Sequence, residues 1–138
     1  IGYPGENNND FEETVNLIKN VKFTNSYSFI FSPRPGTPAA ELQKIDGEIA
    51  KNRLKIIQNL LFKMQIISNK KLEGKTVEVL VENKLKNQPN YFGRTQKMVP
   101  VLFASNKCKP GDIIQVKITS SNQNNLFGEH KNSRNKAA

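Results

Sequence analysis

The residues able to do chemistry in this 138-residue chain fall in three places. The first is Arg34, set in Ser32-Pro-Arg-Pro-Gly-Thr37 directly after an alternating aromatic stretch. A planar guanidinium held between two prolines suits contact with a phosphate, a carboxylate or a base; it equally suits a rigid turn whose arginine pairs with a neighbouring acid. The second is Tyr91-Phe92-Gly93-Arg94-Thr95, which lies between Lys84 and Lys86 on one side and Lys97 on the other. Aromatics interleaved with cations stack on bases and neutralise phosphates, the general scheme of single-stranded RNA recognition. The same pattern also fits a barrel corner that buries Phe92 beneath a solvated lysine face. The third is a lone Cys108, between Lys107 and Lys109 in a polar loop, and a single His130. One cysteine forms no internal disulfide, and one cysteine with one histidine makes no ligand set for zinc or iron. No catalytic constellation is legible, and no metal site is expected.

The charge that surrounds these residues is uneven. Residues 1–68 carry a net charge of +1 and residues 69–138 a net +8, which makes up the +9 of the whole chain. A basic half attracts phosphate backbones and releases their counterions. Lys outnumbers Arg 17 to 4, however, and Asn is abundant, so a lysine-rich codon usage serving solubility explains the charge equally well. No apolar run approaches the roughly 20 residues that span a bilayer, and no basic-then-apolar signal pattern opens the chain. The expectation is a soluble, cytoplasmic, monomeric protein. The chain starts at Ile1 directly against Gly2-Tyr-Pro-Gly-Glu6, which reads as a fragment or processed piece.

The elements that must position these residues follow from the hydrophobic period. Asp10-Phe-Glu-Glu13 has the form of a capping box, and Phe11, Val15, Ile18 and Val21 continue at helical spacing, which predicts a helix over about 10–21. The period changes to two at 26–32, with Tyr27, Phe29 and Phe31 on one face, which predicts a strand. Residues 33–45 read as a loop. Asp46 caps a helix running to about Ser68, with Ala50, Leu54, Ile57, Leu61 and Met64 as its packing stripe and Lys51, Arg53, Lys55 and Lys63 flanking it. From Leu72 the pattern is all β: Thr76–Glu82, Met98–Phe103, Ile113–Thr119 and Leu126–Glu129 are strands, and Pro110-Gly-Asp112 is a turn. Four or five short strands suit a small barrel, whose closure removes exposed edges. Residues 122–125 read as a loop and 131–138 as a disordered polar tail. No internal repeat is apparent.

Taken in order and spacing, Gly2-Tyr-Pro-Gly-Glu6, Asp10-Phe-Glu-Glu-Thr14, Tyr27-Ser-Phe-Ile-Phe-Ser-Pro-Arg-Pro-Gly-Thr-Pro-Ala-Ala40, Asn52-Arg53-Leu54, Gly74-Lys75-Thr-Val-Glu-Val-Leu-Val-Glu82, Gly93-Arg94-Thr95 and Pro110-Gly111-Asp112 resemble the C-terminal part of the radical S-adenosylmethionine (SAM) tRNA methylthiotransferases. The resemblance covers essentially the whole chain. It is strongest to the branch that methylthiolates isopentenyl-adenosine beside the anticodon, with Phe31 where a tyrosine is usual. The ribosomal-protein branch usually has acidic residues where Pro33-Arg34-Pro35 stands.

The resemblance implies an α/β remnant of a radical SAM partial (β/α) barrel followed by a small all-β, OB-like TRAM barrel. Residues 1–45 would be the C-terminal end of the radical SAM barrel, 46–68 a connecting helix, 69–132 the RNA-binding TRAM barrel and 133–138 a flexible tail. The intact family enzyme uses two 4Fe-4S clusters and SAM; the cluster-binding Cys motif is absent from this chain, so the chain alone is expected to bind no cofactor and to be inactive. Its partners would be tRNA and the N-terminal catalytic portion. Gly2, Pro4, Gly5 and Glu6 would pack on the SAM side, or simply make the turn into the helix. Functional loops of a parallel barrel lie at the carboxyl ends of its strands, which would place Arg34 at the mouth where SAM and the target base meet. Arg34, Lys75, Lys84, Phe92, Arg94 and Lys97 are then the expected substrate and RNA contacts. The alternative is a stand-alone RNA-binding TRAM module, or an inactive remnant of a split gene.

Overall fold

Asn7, three residues upstream of the expected cap, starts the first helix. Its side-chain oxygen accepts from the Asp10 N–H at 3.1 Å, and Asp10 Oδ2 accepts in return from the Asn7 N–H at 2.9 Å. The capping box is therefore Asn7 with Asp10, and α1 spans Asn8–Val21. The sequence reading had placed Asp10 at the cap; it stands instead in the reciprocal third position, because the short Asn7 amide reaches its N–H first. The computed structural model describes residues 1–86 and 90–131, so the expected tail at 133–138 lies outside the described residues.

The chain divides into two compact units, Ile1–Met64 and the residues from Gln65 onward. In the first, α1 and the long helix α3 (Gly47–Lys70) share a small core of Ile18, Ile57 and Leu61, with Ile1, Phe11, Val15, Leu60 and Met64 packed around it. Asp46 caps α3 as expected, its Oδ1 accepting from the N–H groups of Glu48 and Ile49, and the helix runs to Lys70, two residues past the predicted end. A single-turn helix, α2 (Pro38–Glu41), interrupts the predicted loop, with a proline in its first turn.

Residues 26–32 are extended but form no strand. Among the described residues they pair through the backbone with Ile1, whose ammonium donates to the Phe29 carbonyl (3.0 Å) and whose carbonyl accepts from the Phe31 N–H (2.7 Å). The expected strand does not form, because a ladder needs a partner strand and, within the described residues, one terminal residue stands in for it. Tyr27 and Phe29 are left 89% and 72% exposed, while Phe31 meets the Tyr3 ring edge-on at 5.0 Å.

The second unit is a closed five-stranded barrel in the order β1-β2-β3-β5-β4, with strands β1 (Thr76–Lys84), β2 (Asn90–Thr95), β3 (Pro100–Ala104), β4 (Ile113–Ser121) and β5 (Leu126–His130). All pairs are antiparallel except β3 with β5. Alternate residues point inward, and Val79, Val81, Val101, Phe103, Val116, Ile118 and Leu126 make a dry core. Met98 is not in a strand: it holds a left-handed φ of 62° in the turn before β3, which begins at Pro100. Cys108 lies in the loop between β3 and β4, as expected, but its side chain is buried in this core.

Two places in the barrel are built alike. Val81 pairs with Gly93 and Asn83 with Phe92, so Glu82 is an extra residue, a bulge in β1. Ile118 pairs with Gly128 and Ser120 with Phe127, making Thr119 the matching bulge in β4. Each glycine lets the neighbouring strand close in. A Cβ on Gly93 would run into the Leu80 carbonyl and come within 2.7 Å of Val79 Cγ1; one on Gly128 would run into the Lys117 carbonyl and come within 2.7 Å of Val116 Cγ1. This duplicated register is not a sequence repeat, because the strands around it differ.

Candidate nucleic-acid interface

The basic residues singled out in the barrel form a track rather than a cluster. Val79 pairs with Thr95, so Lys97, in the turn after β2, and Lys75, in the turn before β1, lie towards one end of the barrel. Lys84 pairs with Tyr91 towards the other end, followed by Lys86. Between them runs the nine-residue β1, about 30 Å of strand. Lys75, Lys84, Lys86 and Lys97 are all exposed, and they are too far apart to serve a single phosphate.

Arg94 and Phe92 lie on β2 between these two ends, whereas Lys84, paired with the inward-facing Tyr91, belongs to the other side of the sheet at the barrel's end. Arg94 and Phe92 alternate with the inward-facing Tyr91, Gly93 and Thr95, so both are on the outer face of β2 and both are half-buried. Phe92 therefore does not fill the barrel corner that sequence left open. The Arg94 guanidinium lies 5.7 Å from the centroid of the Phe92 ring, within the range of a cation–π contact. Its Nε stands 3.5 Å from Glu82 Oε1 and, although shielded from solvent, makes no hydrogen bond. The side chain is 40% exposed, and a guanidinium braced against an aromatic face and an acid has the planar fork that bidentate phosphate or base recognition uses. Lys84 Nζ similarly lies 5.8 Å from the centroid of the Tyr91 ring.

In the first unit, the turn Gly2–Glu6 is tied down from within. Glu6 Oε2 accepts from the Gly2 N–H at 2.7 Å and Oε1 from Arg53 Nη1 at 2.8 Å. Arg53 also donates to the Glu6 carbonyl and to Asn8 Oδ1, and its guanidinium lies 5.4 Å from the Phe11 ring centroid. Both carboxylate oxygens of Glu6 are thus engaged inside the chain. Gly2 and Pro4 are buried, whereas Gly5 is exposed; Pro4 and Gly5 border a groove of about 420 Å³ lined also by Leu42, Gln43, Lys44 and Ile45. Arg34 is exposed and pairs with no acid among the described residues, while its carbonyl is fixed by the Thr37 N–H (3.2 Å) and hydroxyl (2.8 Å).

Three residues that shape these sites were not singled out from the sequence. Arg53, read as one of the charges flanking the helix stripe, is 6% exposed and clamps the Gly2–Glu6 turn. Glu82, the bulge residue of β1, lies 3.5 Å from Arg94 Nε. Asn69, 2% exposed, donates to the carbonyls of Asn122 and Gln123 and fixes the β4–β5 loop. For Arg53 a signal did exist: an arginine in a chain that otherwise uses lysine marks a place where fork geometry is needed. His130, read as isolated, has its Nδ1 2.8 Å from the Ser105 hydroxyl.

Among the described residues no group of three or more His, Cys, Asp or Glu side chains is placed to hold a metal ion, and no helix is long and apolar enough to cross a membrane. Residues 70–131 match the TRAM domain family. Over 94% of its length the chain is 56% identical to the tRNA-2-methylthio-N(6)-dimethylallyladenosine synthase of Pelagibacter ubique and 43% identical to that of Orientia tsutsugamushi; in each case it spans 29% of the relative. The Buchnera aphidicola protein of the same name is 44% identical over 98% of the chain, which spans 31% of it. The chain is thus a homologue of the C-terminal part of the tRNA-2-methylthio-N(6)-dimethylallyladenosine synthases, and it carries a TRAM domain over residues 70–131.

Proposed function

We propose that this chain serves as the C-terminal portion of a tRNA methylthiotransferase acting on dimethylallyl-adenosine beside the anticodon, and that its barrel holds the tRNA. The observation that carries this reading is the homology along 94% of the chain to enzymes so named. The basic half, its lysine track and the braced Arg94 supply the physical means: several phosphates are neutralised along the barrel while Arg94 gives one oriented contact. In this reading Lys75, Lys84, Arg94 and Lys97 hold the backbone and Phe92 meets a base. Residues 46–68 connect the barrel to residues 1–45, which complete one side of a radical SAM barrel. The extended aromatic segment at 26–32 then gains the partner strand it lacks, and the exposed Arg34 guanidinium faces the substrate.

SAM and 4Fe-4S clusters supply the radical chemistry of such enzymes. The residues of this chain do not fit a cluster, since its one cysteine is buried in the barrel core. Toward SAM they offer the fixed shape of the Gly2–Glu6 turn, with Glu6 shaping it rather than contacting the ligand. Cluster and reaction therefore belong to other parts of the enzyme. A second reading, a free RNA-binding module in the cytoplasm, draws on the barrel's closure and its own core.

A chimera separates the two. Replacing the corresponding part of the Pelagibacter relative by this chain, in a host lacking its own synthase, should restore the methylthio nucleoside to tRNA, as read by nucleoside mass spectrometry. A soluble, cluster-loaded chimera that binds tRNA yet leaves it unmodified would instead favour the free module.

A further inference from the structure

Phe92 and Phe127 are the outward-facing members of the two matched Phe-Gly and bulge sites. The residue between them is Leu102, which pairs with Phe92 on one side and with Phe127 on the other. Paired residues in adjacent strands point the same way, so these three side chains form one row across the outer face of β2, β3 and β5. All three are half-buried, whereas their inward neighbours Tyr91, Val101, Phe103 and Leu126 are buried. The barrel core is complete without the row, so a fold-stabilising role leaves two phenyl rings on a solvated face unexplained.

We propose that this row is a shelf for single-stranded RNA with two base positions, one on Phe92 and one on Phe127, spaced by Leu102. Two strand spacings set the rings about 10 Å apart, a distance that successive or alternate bases of an unstacked strand can bridge. Each bulge increases the local twist opposite one phenylalanine, whose outward position follows from strand alternation. Charge favours RNA as the occupant: the row lies in the half of net charge +8, and the Arg94 guanidinium already sits over the Phe92 ring. Glu82 and Glu129 share this outer face. Glu82 is placed against Arg94, and Glu129 pairs in register with Lys117, so each acid has a cation beside it. The proposal rests on the tRNA-binding reading and adds to it a second base contact, Phe127, in a strand where no basic motif pointed.

The test uses the full chain and a labelled single-stranded oligoribonucleotide about ten nucleotides long, within the site size of a small barrel. Phe92→Leu and Phe127→Leu, which keep apolar volume but lose the π-face, should each weaken binding about five- to hundredfold, with the salt slope unchanged because stacking releases no counterions. Phe92→Tyr and Phe127→Tyr should bind as the parent does. Ultraviolet cross-linking of the unaltered chain should attach nucleotides to peptides containing Phe92 and Phe127, a readout independent of how any variant folds. If the parent binds the probe, but the leucine variants bind equally well or the adducts lie only elsewhere, the shelf is wrong while tRNA binding stands; the row then faces protein. If the parent binds neither the probe nor tRNA, both readings fall.

Discussion

Arginine use separates the roles of individual residues in this chain. Arg53 is buried with Glu6, Arg94 is braced at the surface by Glu82 and Phe92, and Arg34 is exposed and unpaired among the described residues. Removing one member of a buried pair leaves the other charge without compensation, so Arg53→Ala should cost about 3–5 kcal/mol, read by chemical denaturation of the first unit. Arg53→Met combined with Glu6→Gln should recover much of that loss, because no charge is then stranded; recovery of none would mean that packing against Phe11, rather than the ion pair, holds the turn. The site residues were legible as types and spacing. Their partners were not: nothing in the sequence states that Glu6 lies against Arg53, 47 positions away.

At the scale of elements, periodicity carried most of the fold. Both long helices and four of the five barrel strands follow their hydrophobic patterns, whereas β2 (Asn90–Thr95) was not among the strands expected; Asp46 caps α3 where the sequence placed it. Errors arose where structure depends on a choice among equivalent local groups or on a distant partner. Asn7 and Asp10 both make good caps, and only geometry decides between them. Asn7→Ala should therefore destabilise α1 by about 1 kcal/mol in a melting experiment, and an unchanged melt would mean the first turn has another cap. Alternation at 26–32 reports an extended chain with two unlike faces, but not whether a neighbour pairs with it. Hydrogen exchange should show the Phe31 amide protected by Ile1 and its neighbours at 27–30 exchanging fast, while the barrel ladder amides of Val79, Val116 and Ile118 exchange slowly; uniform protection across 26–32 would require a ladder absent among the described residues.

For the whole molecule, the uneven charge and the division into two units belong together. Nearly all the net charge lies in residues 69–138, the half that folds as a closed barrel with a core of its own. The matched Phe-Gly and bulge sites that shape its outer face were not legible because a two-residue Phe-Gly recurrence carries no register, which only the strand pairing supplies. The central claim, that this basic barrel grips tRNA along a defined track, is tested most directly by measuring the affinity of the chain for tRNA as a function of salt. The parent should show a slope of several phosphates at about −0.7 to −0.9 each. Arg94→Ala and Lys97→Ala should each weaken binding and make the slope shallower by about one contact. If both variants kept the parent's affinity and slope, while neutralising the cations beyond His130 abolished binding, the track would be only a solvated surface and the account would be contradicted.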